Sequence, residues 1–498
     1  MDRWNGGIKA AATDDNSISV FDVIGQDYWG EGVTAKRIAG ALRAMNGADV
    51  TVNINSPGGD MFEGLAIYNL LREYQGKVTV KVLGIAASAA SVIAMAGDDI
   101  QIGRGAFLMI HNCWVVAMGT GRTRVQAPVT SGDDAAAVAV SIKDAVNANP
   151  DLPFTATSEA GVVTLTARHK GLYGNEIPVT LNYYGFGGGE VLPAGVNITV
   201  ASGVKGAGAP ALNDAVAAMG DEPFDYIGLP FNDTASVNTM ATEMNDSSGR
   251  WSYVRQLYGH VYTAKTGTLS ELVAAGDQFN LQHITLAGYE KDTQTPADEL
   301  AASRTARAAV FIRNDPARPT QTGELVDMLP APKGKRFTTT EQQTLLSHGV
   351  ATAYVESGVL RIQRDITTYR KNAYGVADNS YLDSETLHTS AYVLRRLKSV
   401  ITSKYGRHKL ANDGTRFGSG QAIVTPAVIR GELGSTYRQM EREGIVENFD
   451  LFQQHLIVER NANNSNRLDV LFPPDYVNQL RVFAVLNQFR LQYSEEAA

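Results

Sequence analysis

Val50-Thr51-Val52-Asn53-Ile54-Asn55-Ser56-Pro57-Gly58-Gly59 reads as a strand ending in a sharp turn: Val50, Val52 and Ile54 alternate with polar residues, and Ser56-Pro57-Gly58-Gly59 breaks the strand. Helical spacing follows from about Met61 to Tyr74. The unit then recurs. Val78, Val80 and Val82 alternate, the chain reaches Gly84-Ile85-Ala86-Ala87-Ser88, and small residues continue to Met95 before Gly97. Two consecutive strand–turn–helix units predict a layered α/β segment, which we place at residues 1–118.

Outward from that segment the pattern changes near Met118-Gly119. A helix from about Asp133 to Asn149, stopped by Pro150, precedes a hairpin turning at Ala160-Gly161, which predicts a small α+β domain over 119–205. The glycine runs 185–189 and 203–208 read as flexible loops at its boundary. Over 206–375, strands such as Asp225–Leu229 and His283–Leu286 each lead into a helix, predicting a doubly wound α/β domain that closes with a hairpin at Ser357-Gly358. Residues 376–498 form an α+β module. Its first helix, Asp383 to Tyr405, carries Leu387, Leu394, Leu397 and Ile401 on one face and is stopped by Gly406. Thr425-Pro426 starts a second helix as cap and first-turn proline, and a hairpin is expected around Asn461 to Asn466. At the end, Phe483, Val485, Phe489, Leu491 and Tyr493 occupy alternate positions, with Asn487 the one polar member, as in a strand with one apolar face.

The 498 residues exceed one compact domain, and 44% hydrophobic with 19% charged residues is ordinary for a folding chain. A net charge of −8 gives no overall reason for phosphate-backbone binding, so nucleic acid is not an expected partner. Cys113 is the one cysteine, and the eight histidines fall in no metal-ligand spacing, so neither a disulfide, a metal nor a cofactor is expected. The most apolar small-residue stretch, Gly84 to Gly97, is shorter than the ~20 residues that cross a bilayer, so membrane insertion is not expected. The N-terminus MDRWNGG lacks a signal-peptide core, and the product is expected to be cytoplasmic when made.

One group of residues carries potential chemistry. Ser88 stands where a strand gives way to a small-residue helix, a turn that activates nucleophiles. His111 follows the expected strand Phe107–Ile110, and Gly58-Gly59 offers a backbone N–H for an oxyanion, with Ala89 as second donor. Singly, each feature is more often packing, a core histidine or a plain turn. Together, Asn55-Ser56-Pro57-Gly58-Gly59, Gly84-Ile85-Ala86-Ala87-Ser88 and Met109-Ile110-His111-Asn112 resemble the Clp-type serine peptidases with their Clp/crotonase-like fold, particularly the head maturation proteases of phages. The resemblance implies Ser88 as nucleophile, His111 as general base, and Gly59 with Ala89 as oxyanion donors. The family's triad acid comes from a later segment, beyond the resemblance, and Asp98 and Asp99 do not match its place. Without that carboxylate, proton transfer falls by about 10⁴, so weak or absent peptidase activity is expected.

From about 121 onward the sequence resembles contractile phage tail sheath proteins, whose middle domain has a subtilisin-like fold. The motifs are Arg255–His260, Arg313-Asn314-Asp315-Pro316-Ala317-Arg318-Pro319, Asn379-Ser380-Tyr381-Leu382-Asp383, Lys409–Gly418 and Val458–Asn463. The sheath family's own N-terminal region is replaced by the peptidase-like segment, as in a fusion of two genes, and this implies impaired lattice formation. The expected function is a structural sheath subunit that packs helically around a tail tube and drives genome ejection; the alternative is a serine endopeptidase for head maturation, cleaving a capsid or scaffold protein. The expected partners are further copies of the chain, paired through the terminal strand, and the tube protein; the expected locations are host cytoplasm during assembly and then the virion tail. Residues 391–498 sum to about +3, with Arg395, Arg396, Lys398, Lys404, Arg407 and Lys409 crowded together, a basic face suited to an acidic tube. Ala264-Lys265-Thr266-Gly267-Thr268 lacks the preceding glycine of a phosphate loop, so no nucleotide site is expected, and His260 reads as structural.

Overall fold

The computed structural model describes residues 16–25, 32–110, 115–185 and 190–487. The chain divides into two compact units, residues 1–119 with 123–168 and 179–202, and residues 120–122 with 169–178 and 203–498.

The first unit begins with β1 (Ser17–Val20), α1 (Ala35–Ala44), β2 (Val50–Ser56), α2 (Met61–Arg72), β3 (Val78–Ala87), α3 (Ala89–Ala94), β4 (Asp99–Ile102) and β5 (Phe107–Met109). The order is β1-β2-β3-β4, all parallel, and the long β3 pairs first with β4 and then, past Leu83, with β5. Alternation decides the faces: Val50, Val52, Ile54, Val78, Val80 and Val82 are fully buried and pack against Ile38, Leu42, Ile67, Leu71 and Ile93 of the helices. Thr51, Asn53, Thr79 and Lys81 on the other face are only half-buried. Asp60 caps α2, accepting from the N–H of Phe62 at 2.7 Å and of Glu63 at 3.0 Å.

The rest of this unit holds β6 (Val115–Thr120), β7 (Thr123–Pro128), α4 (Ala135–Ala148), β8 (Phe154–Glu159), β9 (Val162–Ala167) and β10 (Thr180–Leu181). The hairpin β8–β9 turns at Ala160 and Gly161, both with positive φ, as a type I′ turn requires.

The second unit opens with α5 (Asn213–Met219), β11 (Tyr226–Gly228), α6 (Thr234–Met244), β12 (His260–Gly267), α7 (Leu269–Asp277), β13 (Ile284–Glu290), α8 (Ala297–Asn314), α9 (Thr339–Ser347), β14 (Val350–Glu356) and β15 (Val359–Arg364). β11 to β14 are parallel in sequential order, and β15 returns antiparallel through Ser357-Gly358. Helices lie on both faces, because Val261 packs with Val237 and Met240 of α6 while its neighbour Tyr262 packs with Ala308 and Ile312 of α8. The strand order does not reverse, as it would in a doubly wound sheet. Within the β13–β14 connection, α8 contributes to the Tyr262 side, and α9 places Leu345 against Leu272 of α7.

The remaining elements are α10 (Ser384–Tyr405), β16 (Lys409–Leu410), β17 (Ile423–Val424), α11 (Pro426–Arg442), β18 (Val446–Glu447), α12 (Phe449–His455), β19 (Ile457–Arg460), β20 (Leu468–Leu471) and β21 (Asp475–Tyr476). Their core is Val393, Ile429, Leu433, Tyr437, Met440 and Phe452, with the rings of Tyr437 and Phe452 stacked at 3.8 Å. Two expectations need correction here. Gly206 is tied to Asn175 by a pair of bonds, 2.8 Å and 2.9 Å, so the second glycine run is pinned at that residue. The expected terminal strand from Phe483 is not formed over the described residues 483–487, where Phe483 is 84% and Val485 67% exposed and no described strand pairs with them; Phe489, Leu491 and Tyr493 lie outside the described residues.

Candidate functional site

Ser88 follows β3 directly and caps α3, with φ 53° and ψ −124°, a conformation that costs a non-glycine residue of order 1–3 kcal/mol. The surroundings over-determine it. Its N–H donates to the carbonyl of Met109 at 2.8 Å, and its own carbonyl accepts from the N–H of Ser91 at 2.9 Å and the Ser91 hydroxyl at 2.6 Å. Ala86, Ala87, Ala89 and Ala90 are all buried, and a Cβ on Gly64 of α2 would stand 3.0 Å from that of Ala89. Small residues are therefore what lets α3 approach α2 and present the half-buried Ser88 at the end of the strand.

The turn after β2 closes on the same place. Gly58 has φ +93°, and its N–H donates to the Ser56 hydroxyl at 3.1 Å. A Cβ there would meet the backbone on either side of Ser88. Gly59, φ +147°, presses instead on Ile24, whose N–H donates to Gly58 and whose carbonyl accepts from Asp60, both at 2.8 Å. Among the described residues, neither the Gly59 N–H nor the Ala89 N–H makes a hydrogen bond. The sequence reading named Gly58-Gly59 as a donor turn but missed that Gly58 packs so tightly on Ser88 that no side chain fits there. It also missed Asn55, whose Oδ1 accepts from the Ile85 N–H at 3.1 Å across the register shift between β2 and β3. Asn55 at the end of a strand before Pro-Gly-Gly was the available signal.

His111 lies outside the described residues; β5, the strand before it, ends with Met109 bonded to Ser88. Asp98 is committed elsewhere. It accepts from the Val78 N–H at 2.8 Å and pairs with Arg72 at 3.0 Å, and these partners, the backbone bond foremost, hold its carboxyl below the usual range. Asp99 accepts from Gln101 at 2.8 Å. No cluster of three potential metal ligands occurs among the described residues, and no described helix is long and apolar enough to cross a membrane.

The long motifs of the second unit are joints. The carbonyl of Pro316 accepts from the Thr389 hydroxyl at 2.9 Å, Asp383 takes both Nε and Nη2 of Arg364 at 2.8 Å and 2.9 Å, and Asp413 Oδ1 accepts from the Ala427 N–H at 3.0 Å. His260 is fully buried, within 2.8 Å of the Thr285 hydroxyl, and burial pushes its imidazole well below the usual range. Lys265 pairs with Glu176 at 3.2 Å, and Arg396 and Lys404 pair with Glu443 and Glu432, both at 2.5 Å; Arg395 pairs with Asp225. Half of the crowded basic residues are thus compensated by acids of the same unit, which weakens the expected basic face.

Comparison with known proteins follows this division. The family model of the phage tail sheath protein central domain matches residues 205–368, that of the phage tail sheath C-terminal domain matches 376–490, and that of Clp protease matches 31–127. The Mu-like prophage tail sheath protein of Haemophilus influenzae is 39% identical over 406 residues, 81% of this chain and 80% of that protein. The sheath tail protein of Desulfitobacterium hafniense aligns as a solved structure at 14% identity with a TM-score of 0.39, over 75% of this chain and 81% of that one. The ATP-dependent Clp protease proteolytic subunit of Deinococcus radiodurans is 42% identical over 50 residues, 10% of this chain; the chain spans only 24% of that subunit's length.

Proposed function

The chain belongs to the phage tail sheath family, and from that premise we propose that copies of it pack helically around a tail tube, interlocked by their C-terminal segments, in the virion tail. The observation that carries this reading is the identity shared with a tail sheath protein over four-fifths of that protein's length. The bare apolar side chains beyond Val477 support it: residues 478–487 join no described strand, and with Phe483 and Val485 exposed they are completed by a strand edge of another copy. The tube is the proposed second partner, and host cytoplasm the proposed place of assembly. We retain 1–118, 119–205, 206–375 and 376–498 as the proposed domains. Electron microscopy of the purified chain tests the reading; multimers are expected, and a strictly monomeric product at high concentration would remove its main support.

A second reading, for the leading segment alone, is favoured by the strained turn at Ser88. Here Ser88 is the proposed nucleophile, His111 the base, and Gly59 with Ala89 the oxyanion donors, acting on a capsid or scaffold protein. A fluorophosphonate probe that labels the parent and not Ser88→Ala supports it; no labelling of folded protein counts against it.

A further inference from the structure

The segment 477–487 carries bare apolar side chains on both sides of one buried guanidinium. Leu480, Val482, Phe483, Val485 and Leu486 are 67–84% exposed. The Arg481 side chain is only 14% exposed, and its Nη2 stands 3.2 Å from both Asp383 Oδ1 and Glu385 Oε1.

Those carboxylates belong to a compensated set. Arg304 and Asp365 pair at 2.5 Å with both side chains fully buried, and Arg364 grips Asp383 with two bonds. Glu385 is fully buried and accepts from the N–H and hydroxyl of Thr320 at 2.9 Å and 3.0 Å. Asp365, Asp383 and Glu385 thus face Arg304, Arg364 and Arg481, and the third cation comes from the terminal segment. Without it Glu385 becomes a buried carboxylate lacking its cation, a far larger penalty than losing an exposed ion pair. Gln479 adds one bond, to the carbonyl of Ala317 at 3.3 Å.

The geometry points to Arg481 as the positioning residue of the C-terminal arm: it pins the arm at one point on Asp383 and Glu385, so that the apolar side chains beyond it leave the body from a fixed place toward a second copy. This rests on the reading that those side chains pair with another copy.

The full chain tests it in two ways. Trypsin must draw the Arg481 side chain out of its cluster to cut the Arg481–Val482 bond, so cleavage there tracks release of the anchor. Glu385→Gln is expected to speed that cut at least ten-fold relative to cuts elsewhere in the chain; equal relative rates overturn the proposal. The double variant Arg481→Ala/Glu385→Gln removes both buried charges, and is expected to recover parental thermal stability yet lose multimer formation. Parental assembly by this variant overturns the anchor, whereas a chain truncated after Arg481 that still assembles overturns the arm reading beneath it.

Discussion

Gly58 and Ser88 stand so close that a Cβ added to Gly58 would lie 2.6 Å from the Cβ of Ser88 and 2.5 Å from the Ala87 carbonyl oxygen. The strained serine turn and the Pro-Gly-Gly turn are therefore one packed object, in which Ser88 and its neighbours leave no room for a side chain at position 58. Gly58→Ala combines that clash with a left-handed φ and is expected to destabilise the first unit by about 2–4 kcal/mol. Gly105→Ala, also at positive φ but with nothing within 4 Å, is the control, expected to cost only about 1 kcal/mol. Urea denaturation of the two variants checks the difference; equal losses would mean that Gly58 matters only for its backbone conformation.

Arg304 gives its three nitrogens to Asp365, to the Tyr289 hydroxyl at 2.9 Å and to the Thr352 carbonyl at 2.8 Å, inside a fully buried pair. Asp365→Ala strands that guanidinium and is expected to cost about 3–5 kcal/mol, while Arg304→Met/Asp365→Leu costs less than the single change. Denaturation of both variants decides it, and a double variant worse than Asp365→Ala would contradict the argument.

His388 supplies a pH dependence. Burial first, and Arg395 second, push its imidazole down to about 3; its Nε2 lies 2.9 Å from the Tyr262 hydroxyl and its ring stacks on Tyr226. Between the native value and the unfolded value near 6.5, the unfolded chain binds the extra proton, so stability falls as pH drops through 6.5. At pH 4 the loss from this residue is about 3 kcal/mol. His260, lowered chiefly by burial, adds in the same direction, whereas Glu385, raised by burial, works oppositely. Comparing His388→Gln with the parent at each pH isolates the histidine: the variant is expected to lose less stability between pH 7 and 4, and identical slopes would refute the assignment.

Much of the architecture was legible where one side of an element meets solvent. β2 and β3 alternate, Thr425-Pro426 opens α11 and Ser357-Gly358 turns the β14–β15 hairpin. β12 gave no such signal because it is buried on both faces over His260–Ala264, which erases the two-residue period, whereas the start of β13 was legible in His283–Leu286 although that strand is buried throughout. At the candidate site, Ser88 was visible from the strand-to-helix change of pattern. The approach of Gly58 was not, since it depends on how β2 and β3 pair. Nor was the ion cluster around Glu385, whose members are scattered from Arg304 to Arg481 and meet only in the folded chain.

We propose that this polypeptide is a building block completed by its own copies. Sedimentation velocity of the purified full chain over a hundred-fold concentration range measures that directly. Multimers larger than dimers are expected to grow as concentration rises; a single monomer boundary at every concentration would overturn the proposal.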